Sequence, residues 1–507
     1  LAQGGGVIPD YERVVVDEAH NLEEQATSHF GFSVSEASVV EAVDRIVKFD
    51  GPGLSGVLTD AAMLISTTAL TPRDQERAAA ASERLRAAGE RARRAKATVA
   101  ELFLAFRAVC RASGEADAGY GRSLRLVDSV RRSDPFIDCE MVFDTLAEAL
   151  RKLDEDLRFF IDALEQTRPD PEAGEAVTEL HEEIQVGLEA ERESLGELTA
   201  QLSEAVLSPD SANVYWIEIA SIGERTSIHS APLHVGELLR ERLFERMRTV
   251  VLTSATLTTA GGFGYVKERL GFEEAAELNL ESPFDYKRSA LLYLVDDIPE
   301  PHLPGYTHAV NEALVGLGSA LHGRTLVLFT SYSAMRSAYS ALKPGMSAAG
   351  VEVLAQRIDG NPASLIDRFR SSDGAMLLGV ATFWEGIDVV GPALSALVIA
   401  KLPFSVPSEP VFAARGELFE DPFHQFATPQ AVLKFKQGFG RLIRSSQDRG
   451  VCAVLDRRII SKRYGRTFIA SAPPCTVEIG SADRLPRRAV AWIEGDANEG
   501  EALELAN

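Results

Sequence analysis

Arg13-Val14-Val15-Val16-Asp17-Glu18-Ala19-His20 is the stretch on which the reading of this 507-residue chain turns. Three β-branched residues in a row predict a buried strand, because a parallel strand covered on both faces needs no alternation of polar side chains. The strand ends in two adjacent carboxylates. In an open α/β sheet, ligands collect outside the carboxyl ends of the strands. An Asp there can hold Mg²⁺ on a nucleotide, usually through water, and a neighbouring Glu can orient or deprotonate an attacking water. The bland alternative is an acidic turn that ends a strand and caps a helix.

Other stretches share that chemistry. Val250-Val251-Leu252-Thr253-Ser254-Ala255-Thr256-Leu257 is a second apolar strand running into a hydroxyl-rich turn. Ala381-Thr382-Phe383-Trp384-Glu385-Gly386-Ile387-Asp388 follows the apolar run Met376 to Val380, and Lys401 to Phe404 reads Lys-Leu-Pro-Phe. Gln437-Gly438-Phe439-Gly440-Arg441-Leu442-Ile443-Arg444 carries two arginines three apart, which share one face if the segment is helical. Guanidinium groups aimed at a γ-phosphate stabilise the charge that develops in phosphoryl transfer.

In this order and company the motifs resemble the superfamily 2 helicases with a DEAH box, and within them the DinG branch related to XPD. The resemblance covers roughly residues 10 to 35 and 210 to 475; between them only position and helical character match. It implies an α/β fold of two RecA-like domains, the first incomplete here and interrupted by an all-helical, arch-like insertion. It also implies ATP, with Mg²⁺, in the cleft between the domains. On the matching positions, Asp17 would serve the metal, Glu18 the water, and His20 would couple the sites. Gln437, Gly440, Arg441 and Arg444 would reach the phosphates, one arginine acting as the finger, and Gly386 and Asp388 would sense nucleotide or ribose. Thr253, Ser254 and Thr256 would couple nucleotide state to nucleic-acid grip. From their own position, Thr330 and Ser331 follow one predicted strand end and Phe383-Trp384 another, where nucleic-acid contact and stacking on bases are expected. For the hydroxyls the bland role is capping, and for the Phe383-Trp384 pair it is core packing.

A P-loop needs Gly-x-x-x-x-Gly-Lys-Ser/Thr, whose amides and lysine cradle the phosphates. No Gly-Lys dipeptide occurs in the 507 residues. In the family that loop lies upstream of the acidic box. The expectation is a chain lacking the front half of its first RecA-like domain, and inactive on ATP by itself. The alternatives are a non-catalytic nucleic-acid-binding remnant and the helicase part of an exonuclease–helicase fusion. The resemblance also implies that a 4Fe-4S cluster, where the intact protein carries one, sits on cysteines upstream of this chain. Cys110, Cys139, Cys452 and Cys475 form no Cys-x-x-Cys pair and suit reduced thiols.

The expected division is 1–35 with the acidic box, 36–207 the insertion, 208–288 the rest of the first RecA-like domain, 289–480 the second, and 481–507 an acidic tail. In the second, strands are predicted at Leu291–Val295, Thr325–Phe329, Val351–Ala355, Met376–Val380, Leu397–Ala400 and Val451–Leu455. Val214 to Ile219 reads as the strand that returns the chain to α/β structure. Within the insertion, Leu146, Leu150, Leu153, Leu157, Phe160 and Leu164 form a four-three seam, and Leu188, Leu195 and Leu202 a partner seam seven apart. An antiparallel helical hairpin follows, with Pro169 and Pro171 in its turn. Between Arg84 and Lys96 lie six basic residues and one acid, Glu90. They read either as a solvated helix face or as a rail along a nucleic-acid backbone.

Composition bounds the rest. Hydrophobic residues make up 45% and charged ones 25%, enough apolar material for several cores. No apolar run approaches the roughly 18 residues that span a bilayer, so no membrane partner and a cytoplasmic location are expected. The formal charge of −23 opposes tight nonspecific phosphate binding by the chain as a whole, although a net charge does not exclude a local basic groove. Part of the excess is local: residues 171–207 hold ten glutamates against Arg192. By resemblance the partners are single-stranded DNA and forked or tailed duplex, with movement 5′ to 3′ by an enzyme expected to be monomeric.

Overall fold

The computed structural model describes residues 11–51, 53–69, 71–114, 121–167, 175–220, 223, 225–259, 262–384 and 394–495. Gly386, Asp388, the Pro169–Pro171 turn and residues 496–507 of the acidic tail lie outside them. In chain order the strands are β1 (Arg13–Val16), β2 (Phe32–Ser35), β3 (Lys48–Asp50), β4 (Gly53–Ser55), β5 (Arg122–Arg125), β6 (Asn213–Ile219), β7 (Thr226–Pro232) and β8 (Thr249–Leu252). After these come β9 (Ala290–Val295), β10 (Thr325–Leu328), β11 (Glu352–Ala355), β12 (Ala375–Gly379), β13 (Ala396–Ile399), β14 (Gly450–Val454) and β15 (Thr476–Gly480).

The C-terminal unit is a seven-stranded, all-parallel sheet in the order β11-β12-β10-β13-β14-β9-β15. Its central strands are apolar at nearly every position because helices cover both faces. One face packs on Leu314, Leu342, Met346 and Trp492, the other on Phe369, Phe435, Phe439 and Phe468. Each side chain of this size contributes about 1.5–3 kcal/mol when fully buried. All six strands expected from sequence are present, offset by a residue at most. β15 was not expected. It alternates Val477 and Ile479 with Glu478, as an edge strand does, and Glu478 is held by Arg488 at 2.7 Å.

At the N-terminal end the sheet is only two strands wide. β1 pairs with β8 in parallel, with Val15 opposite Val251. Both valines are exposed, by 68% and 45%. The expectation of a strand buried on both faces is therefore corrected for this chain. The β-branched residues do form the strand, but no described element covers that face.

The insertion is built on three long helices, Pro72–Ala112, Asp134–Gln166 and Glu175–Val206. Thr71 and Asp74 close a reciprocal capping box at the first, with Pro72 at its first helical position. The expected seam holds: Leu146, Leu150, Leu153, Leu157, Phe160, Leu164, Leu188, Leu195 and Leu202 are all buried in one core. The bundle is larger than a hairpin, because Leu102, Phe103 and Phe106 of the first helix fill the same core. Nor is the insertion purely helical. β3 and β4 form a small hairpin, and β5 joins an antiparallel sheet in the order β2-β7-β6-β5. β6, read as the strand that returns the chain to α/β structure, is a strand, and it lies in that antiparallel sheet. Its Tyr215 and Ile217 face the bundle core. The apolar run marked a strand correctly, but strand direction is set by partners distant in sequence.

The basic stretch of the first helix is largely spoken for. Arg84 donates to Asp156 at 2.6 Å and Arg91 at 2.7 Å, Lys96 donates to Asp44 at 2.6 Å, and Arg93 donates to Glu90 at 2.5 Å. Asp156 is fully buried. The nucleic-acid rail is thus corrected: Arg84, Arg91 and Lys96 tie helices together, leaving Arg86 and Arg94 on the exposed face. Removing one partner of a buried ionic group costs about 3–5 kcal/mol, because the other charges stay behind unpaired. Arg84 and Arg91 keep some solvent contact, so Asp156→Ala is expected to destabilise the bundle toward the lower end, about 3 kcal/mol. Thermal unfolding followed by circular dichroism checks this, and an unchanged midpoint would mean that the two arginines find water or other acceptors without loss.

Candidate functional site

β1 and β8 deliver their C-terminal turns side by side. The Ala19 N–H donates to the Thr253 carbonyl at 3.0 Å and the Thr253 N–H to the Val16 carbonyl at 2.9 Å. Parallel pairing thereby places Asp17-Glu18 next to Thr253-Ser254, 236 residues apart in sequence. Glu18 sits in the left-handed region at φ 50°, unusual for a residue with a Cβ. Its N–H donates to Asp17 Oδ1 at 2.9 Å, and this tight turn turns the two carboxylates outward. Both are exposed.

A short polar chain links the turns. His20 Nδ1 lies 2.7 Å from Ser254 Oγ, and Ser254 Oγ donates to Glu18 Oε2 at 3.2 Å. With the proton on Nδ1, His20 donates to the serine, which donates to the carboxylate, and each group is satisfied. Thr256 adds its N–H to Ser254 Oγ at 3.2 Å. Burial holds the His20 pKa below its ordinary value; Glu18 opposes this and Arg441 reinforces it. The imidazole is therefore neutral at neutral pH and senses charges from both units of the chain.

The opposing wall comes from the C-terminal unit. Gln437 lies near the end of the helix Thr428–Phe439, is buried, and together with His20 lines an inter-unit cavity of about 660 Å³. Its Oε1 has no hydrogen-bond partner among the described residues. Lys436, beside it, crosses the cleft to donate to the Thr258 carbonyl at 3.0 Å. The helix stops at Phe439, so Arg441 and Arg444 lie in the turn beyond it and do not share a helix face. Arg441 donates to the Trp384 carbonyl at 3.4 Å, and the Arg444 N–H donates to Asp448. Gly438 has a clear packing reason, since a Cβ there would sit 3.0 Å from the Trp384 ring. Gly440 has none in its backbone, which is ordinary right-handed helix.

Trp384 is itself corrected. It is buried, donates from Nε1 to the Phe329 carbonyl at 3.0 Å, and belongs with Phe383 to the sheet core, so it offers no face to a base. Thr330 and Ser331 do border open space. Ser331 caps the helix Tyr332–Ala348, and both line a cavity of about 600 Å³ at the carboxyl edge of the parallel sheet, with Lys401, Phe404 and Arg458. The inter-unit contacts of Lys436 and Arg415 carried no local signal and were missed. Among the described residues no cluster of three or more His, Cys, Asp or Glu is placed to hold a metal, and no helix is long and apolar enough to cross a membrane.

The site is thus framed by an acidic turn beside a hydroxyl turn in the first unit and by a cavity that both units line. Residues 314–475 match the helicase C-terminal domain family. The chain is similar in sequence to proteins named DinG and YoaA. It is 37% identical over 288 residues to the 3′-5′ exonuclease DinG of Bacillus subtilis, covering 54% of this chain and 31% of that protein. It is 36% identical over 277 residues to the ATP-dependent DNA helicase YoaA of Escherichia coli, covering 54% and 43%. To the ATP-dependent helicase DinG of Mycobacterium tuberculosis it is 37% identical over 276 residues, covering 52% and 41%. The chain thus matches less than half the length of these relatives. An apo XPD structure shares the fold at a TM-score of 0.50 and 15% identity, covering 94% of this chain and 78% of that one.

Proposed function

We propose that this chain is the motor part of a DinG-like, ATP-dependent DNA helicase. The observation that carries the reading is the Glu18–Ser254–His20 chain at the edge of a cavity that His20 shares with Gln437 of the other unit. A site walled by both units changes shape with their separation, as a motor driven by domain closure requires. Asp17 keeps an exposed carboxylate at the strand end, a hard oxygen donor that suits Mg²⁺. The ion would neutralise charge on the β- and γ-phosphate oxygens. Glu18 orients the attacking water, with Ser254 and His20 holding its carboxylate. Arg441 and Arg444 stabilise the charge that develops on the γ-phosphate, and Gln437 supplies an amide toward the same cleft. On domain closure, Thr330 and Ser331 grip the single strand along the carboxyl edge of the second sheet. Residues 289–480 act as one body, and the protein works in the cytoplasm on single-stranded and forked or tailed DNA.

The test is a DNA-stimulated ATPase and strand-separation assay on the complete gene product, with duplexes carrying a 5′ or a 3′ tail. Hydrolysis stimulated by single strands and unwinding from the 5′ tail are expected. The 507-residue polypeptide, which contains no Gly-Lys dipeptide, is expected not to hydrolyse ATP by itself, because in-line positioning can account for roughly 7–11 kcal/mol of a barrier. A complete product that binds tailed DNA yet hydrolyses no nucleotide would favour a non-catalytic binding protein instead.

A further inference from the structure

Arg415 lies in the last turn of the helix Pro410–Gly416 in the second unit, yet its side chain reaches into the first. It is 7% exposed. Nη1 donates to Glu23 Oε1 at 2.9 Å, Nη2 to Thr27 Oγ1 at 2.7 Å and to the Pro232 carbonyl at 3.1 Å, and Nε to the Leu233 carbonyl at 2.9 Å. Glu23 and Thr27 stand one turn apart on the helix Leu22–Phe30, which begins two residues after His20. Pro232 ends β7, a strand of the antiparallel sheet beside the insertion. Arg269 shares the same Glu23 oxygen, with Nε at 3.0 Å, and its guanidinium lies 5.3 Å over the Phe426 ring of the second unit.

One carboxylate therefore holds two buried guanidinium groups. Desolvation makes such a cluster costly, and an apolar packing of similar volume would be as stable or more so. What the ions provide is geometry. A guanidinium is a rigid planar fork, and four acceptors from two elements fix its orientation as an apolar side chain cannot. Arg125 and Glu417 make a second link between β5 and the end of the same helix at 2.6 Å, but its carboxylate is 64% exposed and such pairs contribute little.

We infer that Arg415 is a positioning residue that locks the helix behind the acidic turn, and the end of β7, to the second unit. It acts through Glu23 and Thr27 and touches neither nucleotide nor water. Because the helix Leu22–Phe30 continues directly from Glu18 and His20, this clasp sets how Glu18 faces Arg441 and Arg444, and it carries movement of the second unit to the insertion. The catalytic consequence rests on the ATPase reading above; the structural one does not.

The experiment compares wild type with Arg415→Met and Arg415→Lys. The methionine variant removes one positive charge from a cluster with two arginines on one glutamate, so folding is expected to survive. Hydrogen exchange on the 507-residue chain should show the amides of residues 22–30 and 226–233 opening roughly tenfold faster or more in Arg415→Met, with β10 and β13 unchanged. In the complete gene product, kcat should fall roughly tenfold to a hundredfold while ATP affinity holds, since a misplacement of about 1 Å can cost that much. Arg415→Lys should not restore kcat, because an ammonium cannot bridge all four acceptors. Unchanged exchange at residues 22–30 would overturn the clasp. Faster exchange with wild-type kcat would reduce Arg415 to a structural tie and overturn the positioning role. If wild type itself fails to hydrolyse ATP, the functional reading falls, and the exchange data still decide the clasp.

Discussion

Replacing Glu18 by Gln in the complete gene product is expected to leave ATP binding intact and to lower turnover by roughly 10²–10⁴-fold. The substitution is nearly isosteric. A glutamine oxygen still accepts from Ser254 Oγ, so the His20–Ser254 chain and the left-handed turn at residue 18 have no reason to rearrange. What disappears is the negative charge that orients and polarises the attacking water. Glu18 is exposed, and its carboxylate meets Ser254 Oγ and His20 Nδ1 each at 3.2 Å, so the loss of its charge carries little stability cost. Single-turnover and steady-state ATPase measurements, with nucleotide binding read separately, check the prediction. Turnover within a factor of a few of wild type would leave Glu18 only a structural role in the turn.

The arginines beyond the helix Thr428–Phe439 carry the second large effect. Arg441→Ala and Arg444→Ala are expected to lower kcat, by up to roughly 10³-fold for whichever acts as the finger. Thermal stability should change much less. Arg441 offers a second measurement that needs no turnover. Its charge helps hold the His20 pKa down, so Arg441→Ala should raise the His20 titration midpoint, which imidazole NMR follows directly. Burial, the larger cause, would keep the midpoint below that of a free histidine. If both variants hydrolyse ATP at wild-type rates, the second unit does not complete the site. If His20 titrates unchanged, Arg441 does not face the acidic turn in solution.

The first of these predictions was readable from the sequence and the second only in part. Asp17, Glu18 and the hydroxyl turn were found because each follows a β-branched run, and parallel strands end on one edge of a sheet. Their adjacency is a consequence of β1 pairing with β8. The arginines were found as a motif, but their shared helix face was not observed, because the helix ends two residues before Arg441. Trp384 failed as a stacking residue for a reason outside its own segment. The nearby Gly438 leaves a flat surface that the indole covers, and the Phe329 carbonyl takes its N–H.

The sequence by itself determined what depends on neighbours along the chain. Helix and strand type and the leucine seams of the insertion follow from local periodicity, the strands of the parallel sheet from short continuous apolar runs, and the motifs from their order along the chain. Tertiary structure decided what depends on partners far apart in sequence. Arg84 and Arg91 looked like a rail for phosphate until Asp156, on another helix, took both. β6 was legible as a strand, but its direction was set by β5 and β7, which flank it antiparallel. Arg415 showed nothing at all until folding set it against Glu23, 392 residues away. The reason is the same in each case. A periodicity records which face of an element is buried, whereas a charge or a strand edge is completed only by whatever the fold brings against it.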